Sequence, residues 1–349
     1  MKSRVLFELA IAALAELLIA PTTQSHAMTP DAVDSHASQL STSRDESKYV
    51  RIGGIDQWIQ ITGADAANPV LLWLNGGPGG STVRDICLYR SWERAFTIVM
   101  WDQRGEGKTF EKSGESVAAS MTIDQMTSDG IQLAEYLRHH LHQPKILLLG
   151  HSWGSILGIH MIARRPDLFA AYVGAGQVIN LRRQLEAGYP SLRERAAGIP
   201  TAERELSAIG SPPWRDDEAY QTVNRWANTF DPPSKVNADV CAAERRVPPP
   251  AYIQAGAQFS SRMLSEAVGK EDLTTWALHF ALPVFFIQGR EDVLTTTSVV
   301  KEYLEKMEAP TKALIELPGS GHLAIFRDPN AFFTALKSRV RPFATESGR

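Results

Sequence analysis

Residues Gly150-His151-Ser152-Trp153-Gly154 follow directly on the apolar run 145–149 and lead into a helix-like segment, 155–165. Strand, sharp turn and helix around G-x-S-x-G are the context of a nucleophile elbow, where glycines let the backbone turn tightly enough to lift a serine hydroxyl off a sheet. The motif alone also fits an ordinary Gly/Ser turn. The rest of the chain has to decide between the two readings.

Three further segments favour the elbow. Downstream stand Gly289-Arg290-Glu291-Asp292 and Gly319-Ser320-Gly321-His322, in the order serine, acid, histidine that accompanies a nucleophile elbow. Each follows a short apolar run closed by glycine, 283–288 and 312–317. Asp292 and His322 are therefore expected on loops at the carboxyl ends of parallel strands, where open α/β sheets place their chemistry. Upstream, the apolar run 70–74 precedes Asn75-Gly76-Gly77-Pro78-Gly79-Gly80. A glycine-rich loop there can aim backbone N–H groups at an oxyanion without obstruction by side chains.

These motifs together resemble the proline iminopeptidase branch of the α/β-hydrolases. The likeness rests on NGGPGGS at 75–81, WDQRGEGKT at 101–109, GHSWGS at 150–155, GRED at 289–292 and GSGH at 319–322. It runs from about Val50 to Pro342 and is thin between Arg182 and Leu282. The resemblance implies an α/β-hydrolase fold: a mostly parallel central sheet flanked by helices, with an inserted helical lid. The family pattern has histidine at the head of the glycine loop, where this chain has Asn75. Since the oxyanion donor there is backbone, the change alters a hydrogen bond that holds the loop rather than the donor itself.

Serine is a poor nucleophile at neutral pH, so Ser152 needs a base within hydrogen-bond reach, and His322 is the histidine on a glycine-flanked loop after a late strand. Asp292 would fix its tautomer and stabilise the imidazolium. Glu291 is the rival acid, but the family's G-R-x-D pattern favours Asp292. The oxyanion donors expected are the N–H of Trp153 and that of Gly77, with Gly76 as its alternative. Gly77-Pro78 is expected to be a cis peptide. Asp102 and Arg104 are expected to form a structural ion pair beneath the active-site loops.

The chain divides into a signal-like segment 1–27, a flexible leader 28–49, a core made of 50–180 and 282–345, and a helical lid over 181–281. Within the core, a hairpin is expected over 50–61 with Gly53-Gly54 at its turn, strands at 70–74, 96–101, 145–149 and 169–173, and helices at 123–142, 296–307 and 331–339. In the lid, helical stretches at 181–197 and 200–209 meet the breakers Pro212-Pro213, Pro232-Pro233 and Pro248-Pro249-Pro250. At 349 residues the chain is long enough for a full core.

Lys2 and Arg4 precede an apolar stretch, and Ser25-His26-Ala27 offers the small residues a signal peptidase reads. Export to the periplasm or medium is expected, with no stable membrane insertion after cleavage; translation from Met28 would instead leave a cytoplasmic protein. Cys87 and Cys241 are open between a disulfide and two buried thiols. A net charge of -3 and the lack of a basic run argue against a nucleic-acid partner. No cofactor is called for. His139, His140 and His142 cluster near a helix end, which reads as a solvated face or a C-terminal cap rather than a zinc site.

The expected substrate is a small molecule or short peptide. An aminopeptidase must hold a free ammonium group, which calls for a carboxylate from the lid facing Ser152; Glu186, Glu203, Glu205, Asp216, Asp217, Glu218 and Asp231 are all candidates. The first reading is a serine aminopeptidase releasing an N-terminal residue, preferably proline. The second is an esterase or lactonase using the same machinery. A non-catalytic binding protein is a third, and the intact Ser152, Asp292 and His322 set argues against it.

Overall fold

A computed structural model describes residues 43–237, 239–242 and 246–346. The signal-like segment 1–27 and the leader up to residue 42 lie outside the described residues.

Eight strands form one sheet in the order β1-β2-β4-β3-β5-β6-β7-β8. They are β1 Arg44–Ile52, β2 Ile55–Gly63, β3 Val70–Leu74, β4 Thr97–Asp102, β5 Ile146–His151, β6 Phe169–Ala175, β7 Val284–Gly289 and β8 Lys312–Leu317. β2 pairs antiparallel with β1 and β4, and from β4 onward every pairing is parallel. β3, β4, β5, β6 and β7 are buried throughout, as strands covered on both faces must be.

The expected leader ends too late. Residues 44–49 belong to β1, an edge strand that alternates between half-buried and exposed positions. Gly53 and Gly54, at φ 55° and 80°, close its hairpin with β2 in the left-handed conformations that a tight two-residue turn requires.

Strand alternation sorts the apolar side chains into two cores. Leu72, Val99 and Leu148 face one side, with Trp153, Ile156 and Leu133. Leu71, Trp73, Leu147 and Leu149 face the other, with Trp92, Phe332 and Leu336. The α-helices among the described residues are α1 Gly107–Ser113, α2 Ile123–His140, α3 Trp153–Arg164, α4 Leu181–Arg195, α5 Pro200–Ala208, α6 Asp217–Thr229, α7 Ala251–Lys270, α8 Thr297–Lys306, α9 Ala324–Arg327, α10 Pro329–Arg339 and α11 Arg341–Glu346.

Helices α4 to α7 occupy the insert between β6 and β7. Leu185, Tyr189, Leu192, Leu206, Trp214 and Val223 give this insert a small apolar core of its own, which also takes in Val293 and Leu294 from the loop after β7. Gly188 is required where α4 meets that loop, because a Cβ there would collide with the Val293 carbonyl oxygen. At its other end the insert crosses the glycine loop, where a Cβ on Gly79 would come within 2.7 Å of Ala257 in α7. The insert thus touches both the loop after β7 and the glycine loop.

Candidate active site

Ser152 stands between β5 and α3 at φ 52°, a left-handed conformation that costs a non-glycine residue on the order of 1 kcal/mol or more. The surroundings hold it there. Its N–H donates to the Ala175 carbonyl at 3.0 Å, and its carbonyl accepts from the Ser155 N–H at 2.8 Å and the Ser155 hydroxyl at 2.6 Å. The two motif glycines serve close approach rather than unusual torsion. A Cβ on Gly150 would collide with the Gly154 carbonyl oxygen, and one on Gly154 with that of Leu74.

His322 Nε2 lies 3.1 Å from Ser152 Oγ, and its Nδ1 lies 3.1 Å from Asp292 Oδ2. The acid at this contact is Asp292. Glu291 instead engages its neighbours through backbone, donating its N–H to Ser320 and accepting from Arg195. Asp292 also accepts from the N–H groups of Leu294 and Thr295, both at 2.8 Å, and from the Thr295 hydroxyl at 2.5 Å. Burial alone would raise its carboxyl, but the His322 imidazole and the Thr295 donors hold it below the usual carboxylate range. Burial likewise works against the His322 imidazolium. The Asp292 carboxylate, and after it that of Asp231, outweighs burial and holds His322 above the ordinary histidine value. Thr295 Oγ1 is also 3.0 Å from His322 Nδ1, so it braces both partners. Nothing in the local sequence singles Thr295 out.

On the other side of Ser152 lies the glycine loop. Gly76 is so close to the elbow that a Cβ there would come within 2.7 Å of His151 Nδ1 and 3.2 Å of Ser152 Cβ. Gly77 sits at φ 122°, and the Gly77-Pro78 peptide is cis. As the first residue of α3, Trp153 has an N–H with no acceptor inside the helix. Its indole is buried and donates to Gln103 Oε1 at 3.2 Å.

Asn75 is buried where the family pattern has histidine, and it still ties the loop down. Its amide donates to the Trp101 carbonyl at 2.9 Å and its oxygen accepts from the Thr82 hydroxyl. Glu106, which sequence reasoning passed over, lies fully buried below and accepts from the N–H groups of Gln103 at 3.0 Å and Gly79 at 3.2 Å. Burial pushes its carboxyl well up against those donors.

The expected Asp102–Arg104 pair does not form. Arg104 binds Asp129 instead, with Nε 2.9 Å from Oδ2, while Asp102 accepts from the Lys108 N–H at 2.8 Å, at the start of α1. Asp102, at the end of β4, and Arg104, just past it, turn to different neighbours, and the partner of Arg104 comes from α2. His140, from the histidine cluster, is 2.8 Å from Glu46 on β1.

The acidic residues of the insert are mostly engaged. Glu186 accepts from the Tyr220 hydroxyl at 2.5 Å, Glu203 from the Gly198 N–H at 2.9 Å, and Glu205 pairs with Arg225 at 2.6 Å. Asp216 caps α6 at Ala219, 2.8 Å away. Glu218 is exposed, and the Asp217 side chain lies outside the described residues. Asp231 accepts from the N–H of His322 itself at 2.5 Å.

A serine hydroxyl at hydrogen-bond distance from an imidazole whose far side meets a buried carboxylate can surrender its proton as it attacks a carbonyl. Comparison with known proteins bears on the family and the fold. Residues 69–329 match the family model of the alpha/beta hydrolase fold. The chain is 31% identical over 306 residues to a protein of Bacillus subtilis described as a probable aminopeptidase, covering 84% of this chain and 96% of that one. It is 25% identical over 299 residues to a proline iminopeptidase of Lactiplantibacillus plantarum, covering 81% and 96%. Among solved structures, a proline iminopeptidase-related protein from Thermus thermophilus superposes with a TM-score of 0.64 at 20% identity, over 86% of this chain and 99% of that one. At that identity the likeness speaks to the fold alone.

Proposed function

The chain belongs to the alpha/beta hydrolase fold family, and on that premise we propose that it is a serine aminopeptidase that releases an N-terminal residue, preferably proline, through an acyl-enzyme. Ser152 is the nucleophile, His322 the base and Asp292 the residue that orients it. The observation that carries this reading is the continuous contact from Ser152 Oγ through His322 to Asp292, 3.1 Å at each step.

His322 takes the Ser152 proton as Oγ attacks the scissile carbonyl, then returns it to the departing amine. A water, activated by the same imidazole, releases the acyl group. The N–H groups of Trp153 and of Gly77 or Gly76 hold the oxyanion, each worth about 3 kcal/mol in the transition state. The insert serves as the lid that selects the substrate.

The choice of an amine substrate is supported by the full-length relative described as an aminopeptidase. A specific observation favours the second reading, a carboxylesterase or lactonase. Glu186, Glu203, Glu205, Asp216 and Asp231 already have partners within the protein, and an ester needs no carboxylate to receive it. Parallel assay of a prolyl-arylamide and a short-chain p-nitrophenyl ester decides between them: the aminopeptidase reading expects the higher kcat/KM on the arylamide, and a far higher value on the ester replaces it with the esterase reading.

The signal-like segment 1–27 and a disulfide between Cys87 and Cys241 both support work outside the cytoplasm, in an oxidising compartment. Cell fractionation is the check.

A further inference from the structure

Residues 231–235, at the start of the segment that joins α6 to α7, run as a strap along the loop that carries His322. Asp231 opens it, accepting from the His322 N–H at 2.5 Å and the Leu323 N–H at 3.4 Å. Arg327, just beyond that loop, pairs with the Asp231 carboxylate at 3.2 Å and donates to the carbonyls of Asp231 and Pro232, both at 2.6 Å. Lys235 adds a salt bridge to Asp328 at 2.6 Å, and its N–H donates to the Arg327 carbonyl at 2.6 Å. Farther along, Cys241 is bonded to Cys87, in the segment that follows the glycine loop.

The loop is shaped to receive this strap. A Cβ on Gly321 would collide with Asp231 Oδ1 and stand 2.5 Å from the Pro232 ring. The glycine before His322 is thus the condition for a carboxylate of the insert to reach the histidine's backbone. The His322 carbonyl in turn meets His151 Nε2 at 3.2 Å.

We propose that Asp231 is a positioning residue for His322: it fixes the backbone of the base and sets a second negative charge beside it, so that the reactivity of Ser152 depends on how the insert is seated. The proposal rests on the reading of His322 as the base. It also separates Asp231 from the carboxylates that could receive a substrate ammonium, because its side chain is 3% exposed and its oxygens are taken up by backbone N–H groups and Arg327.

Among the described residues, the charged and titratable groups that face the His322 imidazole and its backbone are Asp292 from the loop after β7, Asp231 with its partner Arg327, and His151 from the elbow. His151 is buried and neutral at working pH, its value lowered to about 3 by burial and by His322. Removing the Asp231 charge therefore weakens support for the imidazolium, and removing the Arg327 charge strengthens it. A role in structure alone would not move a titration in opposite directions.

The test is the pH dependence of Ser152 labelling by a fluorophosphonate, which needs no knowledge of the natural substrate. Labelling requires neutral His322, so its rate falls on the acid side of the His322 titration. Asp231→Asn, nearly isosteric, is expected to move that acid limb down by about half a pH unit or more, and Arg327→Gln to move it up. A limb that stays in place or moves upward in Asp231→Asn overturns the proposal. If that variant does not fold, Arg327→Gln decides alone: an upward move supports the proposal, and an unmoved limb overturns it. Failure of the underlying reading looks different, because a His322→Ala variant that labels as fast as the wild type removes His322 as base whatever Asp231 does.

Discussion

The imidazole of His151 reaches the carbonyl oxygen of His322 at 3.2 Å. The residue before the proposed nucleophile thus holds the proposed base by its backbone, across a separation of 171 positions. With His151 neutral, its Nε2 carries the donated hydrogen. The two rings lie 5.1 Å apart, and Phe326 packs edge-on against His151 at the same distance.

His151 should make the fold sensitive to acid. Its folded value is lowered to about 3, whereas the unfolded chain takes up this proton below about 6.5. The unfolded state then binds more protons, so stability falls as the pH drops from 6.5 towards 3, by roughly 5 kcal/mol at most from this residue. His322 acts in the opposite sense, because its raised value favours the folded state at low pH and that contribution is lost as pH rises through it. The difference between wild type and His151→Phe isolates His151. The variant should lose about 1–2 kcal/mol at pH 7, from the unpaired His322 carbonyl, yet show a flatter decline between pH 6.5 and 3 in urea unfolding. Parallel curves for the two proteins would contradict this account of His151.

Gly76 should tolerate no side chain. Its Cβ would press on His151 Nδ1 at 2.7 Å and on Ser152 Cβ at 3.2 Å, between the elbow and the loop proposed to supply an oxyanion donor. Gly76→Ala is expected to lower kcat by at least about tenfold, the range of a displaced donor, with a smaller change in KM. Steady-state kinetics on any accepted ester or arylamide is the check; unchanged kcat would place Gly76 away from the reacting centre.

Most of the sheet is legible in the sequence because buried parallel strands are short apolar runs. β3 and β8 fall at the expected bounds, and β5 and β7 begin and end within two residues of them. β1 is hidden by its own chemistry: Arg44-Asp45-Glu46-Ser47-Lys48 puts polar residues on both faces, and a sheet edge tolerates them. Helix α7 starts behind three prolines and carries internal glycines, signals that read as loop. The contacts of Ser152, His322 and Asp292 follow from loop position after β5, β8 and β7. The pairing of Arg104 with Asp129 and the grip of Asp231 on His322 depend on which helix or insert segment packs overhead. No local pattern distinguishes Asp231 from the other acids of the insert.

The bond between Cys87 and Cys241 spans 154 positions and fastens the strap to the core, so its removal should cost on the order of 2–4 kcal/mol. Thermal melts with and without reductant should show a lower Tm for the reduced wild type and no response in a Cys87→Ser, Cys241→Ser double variant. A wild-type Tm indifferent to reductant would contradict this.

Ser152→Ala should fold as the wild type does, with unchanged circular dichroism, and lose turnover by about a thousandfold or more. A residual rate within tenfold of the wild type would remove Ser152 from the chemistry.

The most direct measurement is the site of covalent attachment by a fluorophosphonate, read by peptide mass mapping on the folded protein. A serine whose hydroxyl stands 3.1 Å from a histidine backed by a buried carboxylate should react alone among the chain's serines. The predicted result is one adduct, on Ser152, absent from Ser152→Ala and strongly slowed in His322→Ala. An adduct at another serine, or none, would contradict it.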